Sequence, residues 1–250
     1  MMSKNAFLAM LNHRVGVVVF TTGKVLRFAF FGAFLYFLLS KTNTLAGYTL
    51  HQTLFFFLTF NLIDVIAQFL FREAYRFRPL IVSGSFDLIL VKPINALFRS
   101  LMGGADILDL FLIPPLVFAV YYVGSLLDPS ASQVFLYIVL VANGLVIATA
   151  FHIAVLSLGI ITLEIDHTIM IYRDLTNLGR LPIDIYGQPL KGILTYLVPV
   201  GVMITLPAKA MMGLVTPVGV TVSFALGFLM IILTLRFWKL ALRQYTSASS

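Results

Sequence analysis

Long apolar runs separated by short polar breaks dominate the chain. A transmembrane helix needs about 20 mostly apolar residues. Six stretches approach that length: Val25–Ser40 with an extension toward Val15, Leu50–Phe71, Ala105–Leu127, Val134–Leu163, Gly192–Leu206 and Val218–Leu240. The fifth is short and contains Pro199. The broken stretch Pro207–Val215 is expected to complete it as a partly inserted hairpin or short helix on the far side, since irregular backbone at depth is tolerated where protein or water covers it. Ahead of the first run, residues 1–24 are read as retained rather than cleaved, because charged residues interrupt the apolar run and no clean small-residue cleavage site follows. Lys4–Lys24 then lies along the membrane surface as a basic amphipathic helix, or joins a single long, tilted first span.

Charge placement orients this pattern. With the N-terminus inside and the spans alternating, the inner side holds Lys4, Arg14, Lys24, Arg27, Arg72, Arg76, Arg78, Lys92, Arg99, Arg173, Arg180, Lys191, Arg236, Lys239 and Arg243, and the outer side only Lys41 and Lys209. Those fifteen and two make up all 17 Lys and Arg, a strong positive-inside asymmetry. The predicted fold is therefore all-α and integral to the membrane: one transmembrane domain over 1–250, six spans, both termini cytoplasmic. Cytoplasmic loops cover 72–104 and 164–191, a polar tail covers 244–250, and broken helices lie on the outer side between spans five and six. Composition agrees. The chain is 60% hydrophobic and 11% charged, against about 25% charged in soluble domains, so lipid is its solvent. The net charge of +7 sits at helix ends facing anionic lipid, which leaves no reason to invoke nucleic acid. Cysteine is absent, so disulfides and thiolate metal sites are excluded.

One inner loop stands out, "RPLIVSGSFDLILVKPINALFR" from Arg78 to Arg99. Ser85 is a suitable N-cap, Asp87 sits in the first turn where the helix dipole favours an anion, and Pro93 stops continuation. A helix of under two turns, about Phe86 to Val91, follows. Phe86, Leu88, Ile89 and Leu90 are more apolar surface than so short a helix buries by itself. Such a knob either rests on the membrane surface as a linker or docks into a partner's groove, and pattern alone leaves both open.

Polar residues inside spans are costly. Asn61, Asp64 and Gln68 fall at i, i+3 and i+7, one face of span two. That face lines a pathway or bonds neighbouring helices together. Asn143 and His152 on span four are the available partners for Asp64. Nine residues separate them, about 180° around an ideal helix, so both cannot face it. Asp106 and Asp109 open span three, where the helix dipole favours acids and Arg72, Arg76 or Arg99 can neutralise them. Pro114-Pro115 should kink that span. "LEIDHT" gathers Glu164, Asp166 and His167, but without the converging spacing a metal site needs, so it reads as a solvated helix end and no metal is expected. No G-x-x-x-x-G-K-[ST], H-E-x-x-H or G-x-S-x-G sequence occurs, so the chain is not expected to bind nucleotide in a phosphate loop or to be an enzyme.

The segments "LIVSGSFDLILVKPINALFRSLMGGADILDL", "GRLPIDIYGQPLKGILTYLVPVGVMITLPAKAMMG" and "FWKLALRQYTSASS" resemble the permease subunits of type 2 ABC exporters, specifically the six-span ABC-2 family transporter proteins. The resemblance runs over nearly the whole chain in order, length and span count. It implies a half-transporter in a bacterial inner membrane: two permeases, identical or paired with a sister chain, assembled with two cytoplasmic ATP-binding cassette subunits. ATP and Mg would be held by those subunits, with no cofactor on this chain. The loop between spans two and three would then carry the coupling helix, with Ser85, Phe86, Asp87, Leu88, Ile89 and Lys92 as ATPase contacts. Asn61, Asp64, Gln68 and His152 are the candidates for the translocation pathway. The expected activity is export of a hydrophobic or amphipathic substrate. The alternatives are a proton-driven transporter relaying through Asp64, and a membrane scaffold that moves nothing.

Overall fold

A computed structural model describes residues 14–42, 44–104, 106–163 and 165–246. Residues 1–13, which hold the first part of the expected surface helix, as well as Glu164 and residues 247–250 of the tail, lie outside the described residues. Among the described residues there are helices and turns and no strand. Five helices are long and apolar enough to cross a membrane. They are α1 (Arg14–Thr42), α2 (Leu50–Phe71), α6 (Ile107–Ser125), α7 (Ala131–Thr162) and α10 (Pro217–Gln244). Residues 14–24 run straight into α1, 29 residues in all, or about 43 Å at 1.5 Å per residue. The single long first helix therefore replaces a separate surface helix over that part.

Capping fixes where these helices start. Thr49 and Gln52 form a reciprocal capping box at α2, Ser130 and Gln133 do so at α7, and each pair satisfies two orphan amides. Asp106 caps α6 by accepting from the Leu108 amide at 3.1 Å. Pro114 and Pro115 stay inside α6. Between α1 and α2 the chain reverses through Ala46 and Gly47, at φ 51° and 84°. Leu45 and Tyr48 exchange both backbone bonds across that turn, as a type I′ geometry allows.

α2 is the hub, with Phe55, Phe56 and Phe60 buried. It packs on α6 and α7, and α7 packs along α10. Gly227 permits the last contact: a Cβ there would meet Asn143 Oδ1 at 2.3 Å. Asn143 Nδ2 in turn donates to the Ser223 carbonyl at 3.0 Å and its hydroxyl at 2.9 Å. Across lipid-like packing such small residues let backbones approach.

The bundle has two ends. One holds Tyr48 and the starts of α2, α7 and α10; the other holds Phe77, Phe86 and Trp238. α7 finishes at the Phe86 end and α10 begins at the Tyr48 end, so the chain between them crosses once. The structure places that crossing earlier than hydropathy does. α8 (Ile165–Asn177) starts where Asp166 meets Arg78, at 3.7 Å. Arg180 lies beside the middle of α2, its guanidinium 5.7 Å from the Phe60 ring centre. Asp184 accepts from the Tyr48 hydroxyl at 2.8 Å, at the far end. Residues 165–185 thus traverse the bundle, and the reading of 164–191 as one inner loop is corrected. Gly192–Leu206 is not one straight span. Leu190–Leu197 and Gly201–Met211, the second ending in α9 (Leu206–Met211), are bent by 75° to each other. Lys191 and Lys209, one on each limb, both reach Asp184, at 2.7 and 2.6 Å. One carboxylate cannot serve both sides of a membrane, so the assignment of Lys191 and Lys209 to opposite sides is also corrected. Together the limbs form a re-entrant hairpin that enters and leaves at the Tyr48 end.

Candidate functional site

The loop after α2 folds into a compact platform at the Phe86 end. It comprises a tight helical turn (Arg72–Arg76), α3 (Phe77–Val82), α4 (Ser85–Leu90) and α5 (Ala96–Met102). Glu73 accepts from Arg99 at 2.7 Å, joining the two edges of the platform. The αL residue Gly84, at φ 70°, occupies the cap position of α4, so Ser85 is the first helical residue rather than the N-cap. Its amide bonds the Ser83 hydroxyl instead, at 3.4 Å.

Phe86 is fully buried, seated edge-on against Phe77 at 5.0 Å and Tyr245 at 5.2 Å, with Trp238 at 6.4 Å. Ile89, on the same helix face, is buried too. The expectation that these two contact a partner is therefore corrected: Phe86 fastens α4 to the chain's own α10, and Ile89 is enclosed beside it. Burial and the neighbouring Asp87 carboxylate push the Tyr245 hydroxyl up to about 12. Ser85 and Asp87 are half-buried, while Leu88 and Lys92 are exposed. Val91, inside the expected helix but not named among its contacts, is 79% exposed against 61% for Leu88, and Ile94 and Phe98 are exposed near it. The signal was present: Phe86 and Ile89 share one helix face and Leu88 and Val91 another, each at i, i+3.

Gln68 donates to Asp64 at 2.7 Å, and buried Asn61 donates to the Phe57 carbonyl at 2.6 Å. What surrounds them was not expected. The cations acting on Asp64 are Arg27, Arg173 and Arg180, from α1, α8 and the turn after α8. Arg27 and Arg180 line a small niche with Phe28, Phe31, Phe57 and Asn61, and Arg180 lies over the Phe31 and Phe60 rings in cation–π geometry. Neither suggested partner bonds Asp64. Asn143 is committed to Ser223, and His152 Nδ1 lies 2.8 Å from the Ala148 carbonyl. His152 is buried among Phe71, Tyr75 and Tyr172, beside the polar face rather than on it.

Asp106 and Asp109 take structural roles. Arg72 Nε lies 3.5 Å from Asp106, while Asp109 pairs with Lys24 of α1, a partner that sequence did not nominate. No cluster of three metal-ligating groups occurs among the described residues. A wholly apolar cleft of about 390 Å³ opens between α1, α2 and α6, walled by residues including Val25, Phe28, Leu54, Phe57 and Leu116. A more polar cavity of about 220 Å³ lies between the hairpin limbs, at Asp184, Lys191 and Lys209. There burial alone would raise the Asp184 carboxyl, but hydrogen bonds from Lys191, Lys209 and Tyr48 outweigh it and hold it at about 2.

A family model described as ABC-2 family transporter protein matches residues 25–249. No curated protein and no solved structure matches the chain.

Proposed function

The chain belongs to the ABC-2 family of transporter proteins, and from that premise we propose that it is the permease half of an ATP-driven exporter worked by separate ATPase subunits. It is a multi-pass membrane permease. The sequence carries no phosphate-cradling G-x-x-x-x-G-K-[ST] loop, so on this reading the motor is another polypeptide. The observation that carries the proposal is the divided surface of α4. Phe86 and Ile89 anchor the helix rigidly, while Leu88, Val91 and Lys92 stand clear of the fold. An exposed apolar knob on a fixed base suits insertion into a partner's groove.

The mechanism follows from the connections. ATP draws two cassettes together, each pushes its α4, and the push passes through Phe86 to Trp238 on α10 and along the platform to α2 and α6. The interface between two permeases, identical or related, then switches between inward-open and outward-open states, with the Asn61–Asp64–Gln68 face on the pathway. The apolar cleft supports a hydrophobic or amphipathic cargo, and the basic Phe86 end supports its placement, with both termini, on the cytoplasmic side of a bacterial inner membrane.

Leu88→Asp or Val91→Asp should leave a monodisperse, folded permease that no longer retains its ATPase through mild-detergent purification. An active transporter recovered without any ATPase would defeat the proposal. Flux that ignores ATP depletion and collapses with an uncoupler would replace it with proton-driven transport through Asp64. Intact complexes with no flux to lose would leave a membrane scaffold.

A further inference from the structure

We propose that the cleft between α1, α2 and α6, together with the niche at Arg27 and Arg180, forms one binding site for an anionic amphiphile: acyl tail in the cleft, acidic headgroup between the two arginines. The two spaces are neighbours. Phe28 and Phe57 line both of them, their ring centres 6.0 Å apart. One side is wholly apolar, with about 390 Å³ of room, within the range of small-molecule sites. The other presents two guanidinium groups and Asn61 in only about 10 Å³ of room, so the exposed Arg27 side chain has to turn outward to admit a headgroup.

Charge selects the headgroup. Arg27, Arg173 and Arg180 act on the single carboxylate of Asp64. Among the described residues, Lys24 is paired with Asp109, Asp166 with Arg78 and Asp184 with two lysines, and Asp174 is exposed. The niche therefore keeps an excess of positive charge at the depth of Asn61, the twelfth residue of the 22-residue α2. An arginine held at that depth faces protein, water or an anion, not hydrocarbon. Arg27 is exposed on the bundle surface, which leaves it free to serve an incoming headgroup. A guanidinium fork binds carboxylate or phosphate in two-point fashion, while the tail lies where only apolar atoms line the wall.

This deepens the proposed function and rests on it only for the word cargo; the same chemistry fits a resident acidic lipid. The probe is cis-parinaric acid, whose fluorescence rises on entering an apolar site, with its methyl ester as the uncharged control. Titrated into the purified full-length permease in phosphatidylcholine nanodiscs, the acid should bind about tenfold more tightly than the ester, the scale of one charge-assisted contact. Arg27→Gln and Arg180→Gln should each erase that preference without changing ester binding, and Arg27→Lys should keep most of it. Leu116→Trp, which fills the cleft, should weaken both ligands. Equal binding of acid and ester, or a preference that survives both Gln variants, overturns the proposal, and so does indifference to Leu116→Trp. In the ATPase complex, ATP-driven loss of bound acid marks it as cargo and retention marks it as structural lipid, and either outcome supports the site. A permease that binds the acid yet retains no ATPase sinks the exporter reading alone.

Discussion

Asp184 gathers donors from three separate parts of the chain: Tyr48 from the first turn, Lys191 and Lys209 from the two limbs of the hairpin. With the folded carboxyl held at about 2 against an ordinary 3.8, the sign of the pH effect follows. A depressed carboxylate contributes stability that is complete above about pH 4 and is lost as pH falls toward 2. Because these side chains keep some solvent contact, the contribution is on the order of 1 kcal/mol after screening. Asp184→Asn should lower the unfolding midpoint in detergent at pH 7, and the gap to the parent should close between pH 4 and 2. A gap that stays constant over that range would show that the cluster contributes no pH-linked stability. Phe86 makes a second point at this scale. Its truncation to Ala should cost about 3–5 kcal/mol, as for other enclosed aromatic side chains, and be seen first as a lower melting temperature. Leu88→Asp should leave melting within about 0.5 kcal/mol of the parent. Sequence alone marked both residues as contacts, because the apolar character of a side chain does not say whether its neighbours are internal; only the ring contacts with Tyr245 and Trp238, far along the chain, decide it.

Among the elements, the five long apolar helices were legible because each is apolar over a length that matches hydrocarbon. α8 was not. It carries Asp166, His167, Arg173 and Asp174 within thirteen residues and reads as a solvated loop. Yet its Arg173, with Arg180 in the turn that follows it, acts on Asp64 of α2. A hydropathy window cannot distinguish a helix that is polar because it faces water from one that is polar because it faces a charge inside the bundle. The reverse error befell Gly192–Leu206, apolar enough for a span but broken across the bend between the two hairpin limbs. Packing explains why it stays: at Gly144 of α7, a Cβ would stand 2.5 Å from the Met203 carbonyl oxygen, so the limb lies directly on the α7 backbone. Gly144→Val should force the two apart and cost about 1–3 kcal/mol, read as a lower unfolding midpoint. If α7 tolerates it without loss, the hairpin is not seated there. The triplet Asn61, Asp64 and Gln68 was legible as a face because it lies on a single helix; its arginine counterparts were not, since three separate segments supply them.

At the scale of the whole molecule, the corrected path keeps an even number of crossings while moving Lys191 to the opposite end of the bundle from Asp166. The absence of native cysteine allows a direct check, since single cysteines can be added with no background. In intact cells, a membrane-impermeant maleimide should label Lys191→Cys and Lys209→Cys alike, because one carboxylate holds both lysines. Leu88→Cys and Asp166→Cys, at the Phe86 end, should react only after permeabilisation. Labelling of 209 without 191 would restore the inner loop that hydropathy implies and dissolve the re-entrant hairpin. Labelling of 88 in intact cells would invert the bundle, setting α4 on the face where no ATP is made available and removing the route by which a cassette could drive it. The four positions together thus test the path of the chain and the direction of its coupling independently, since the first depends on which pairs react together and the second on which pair reacts from outside.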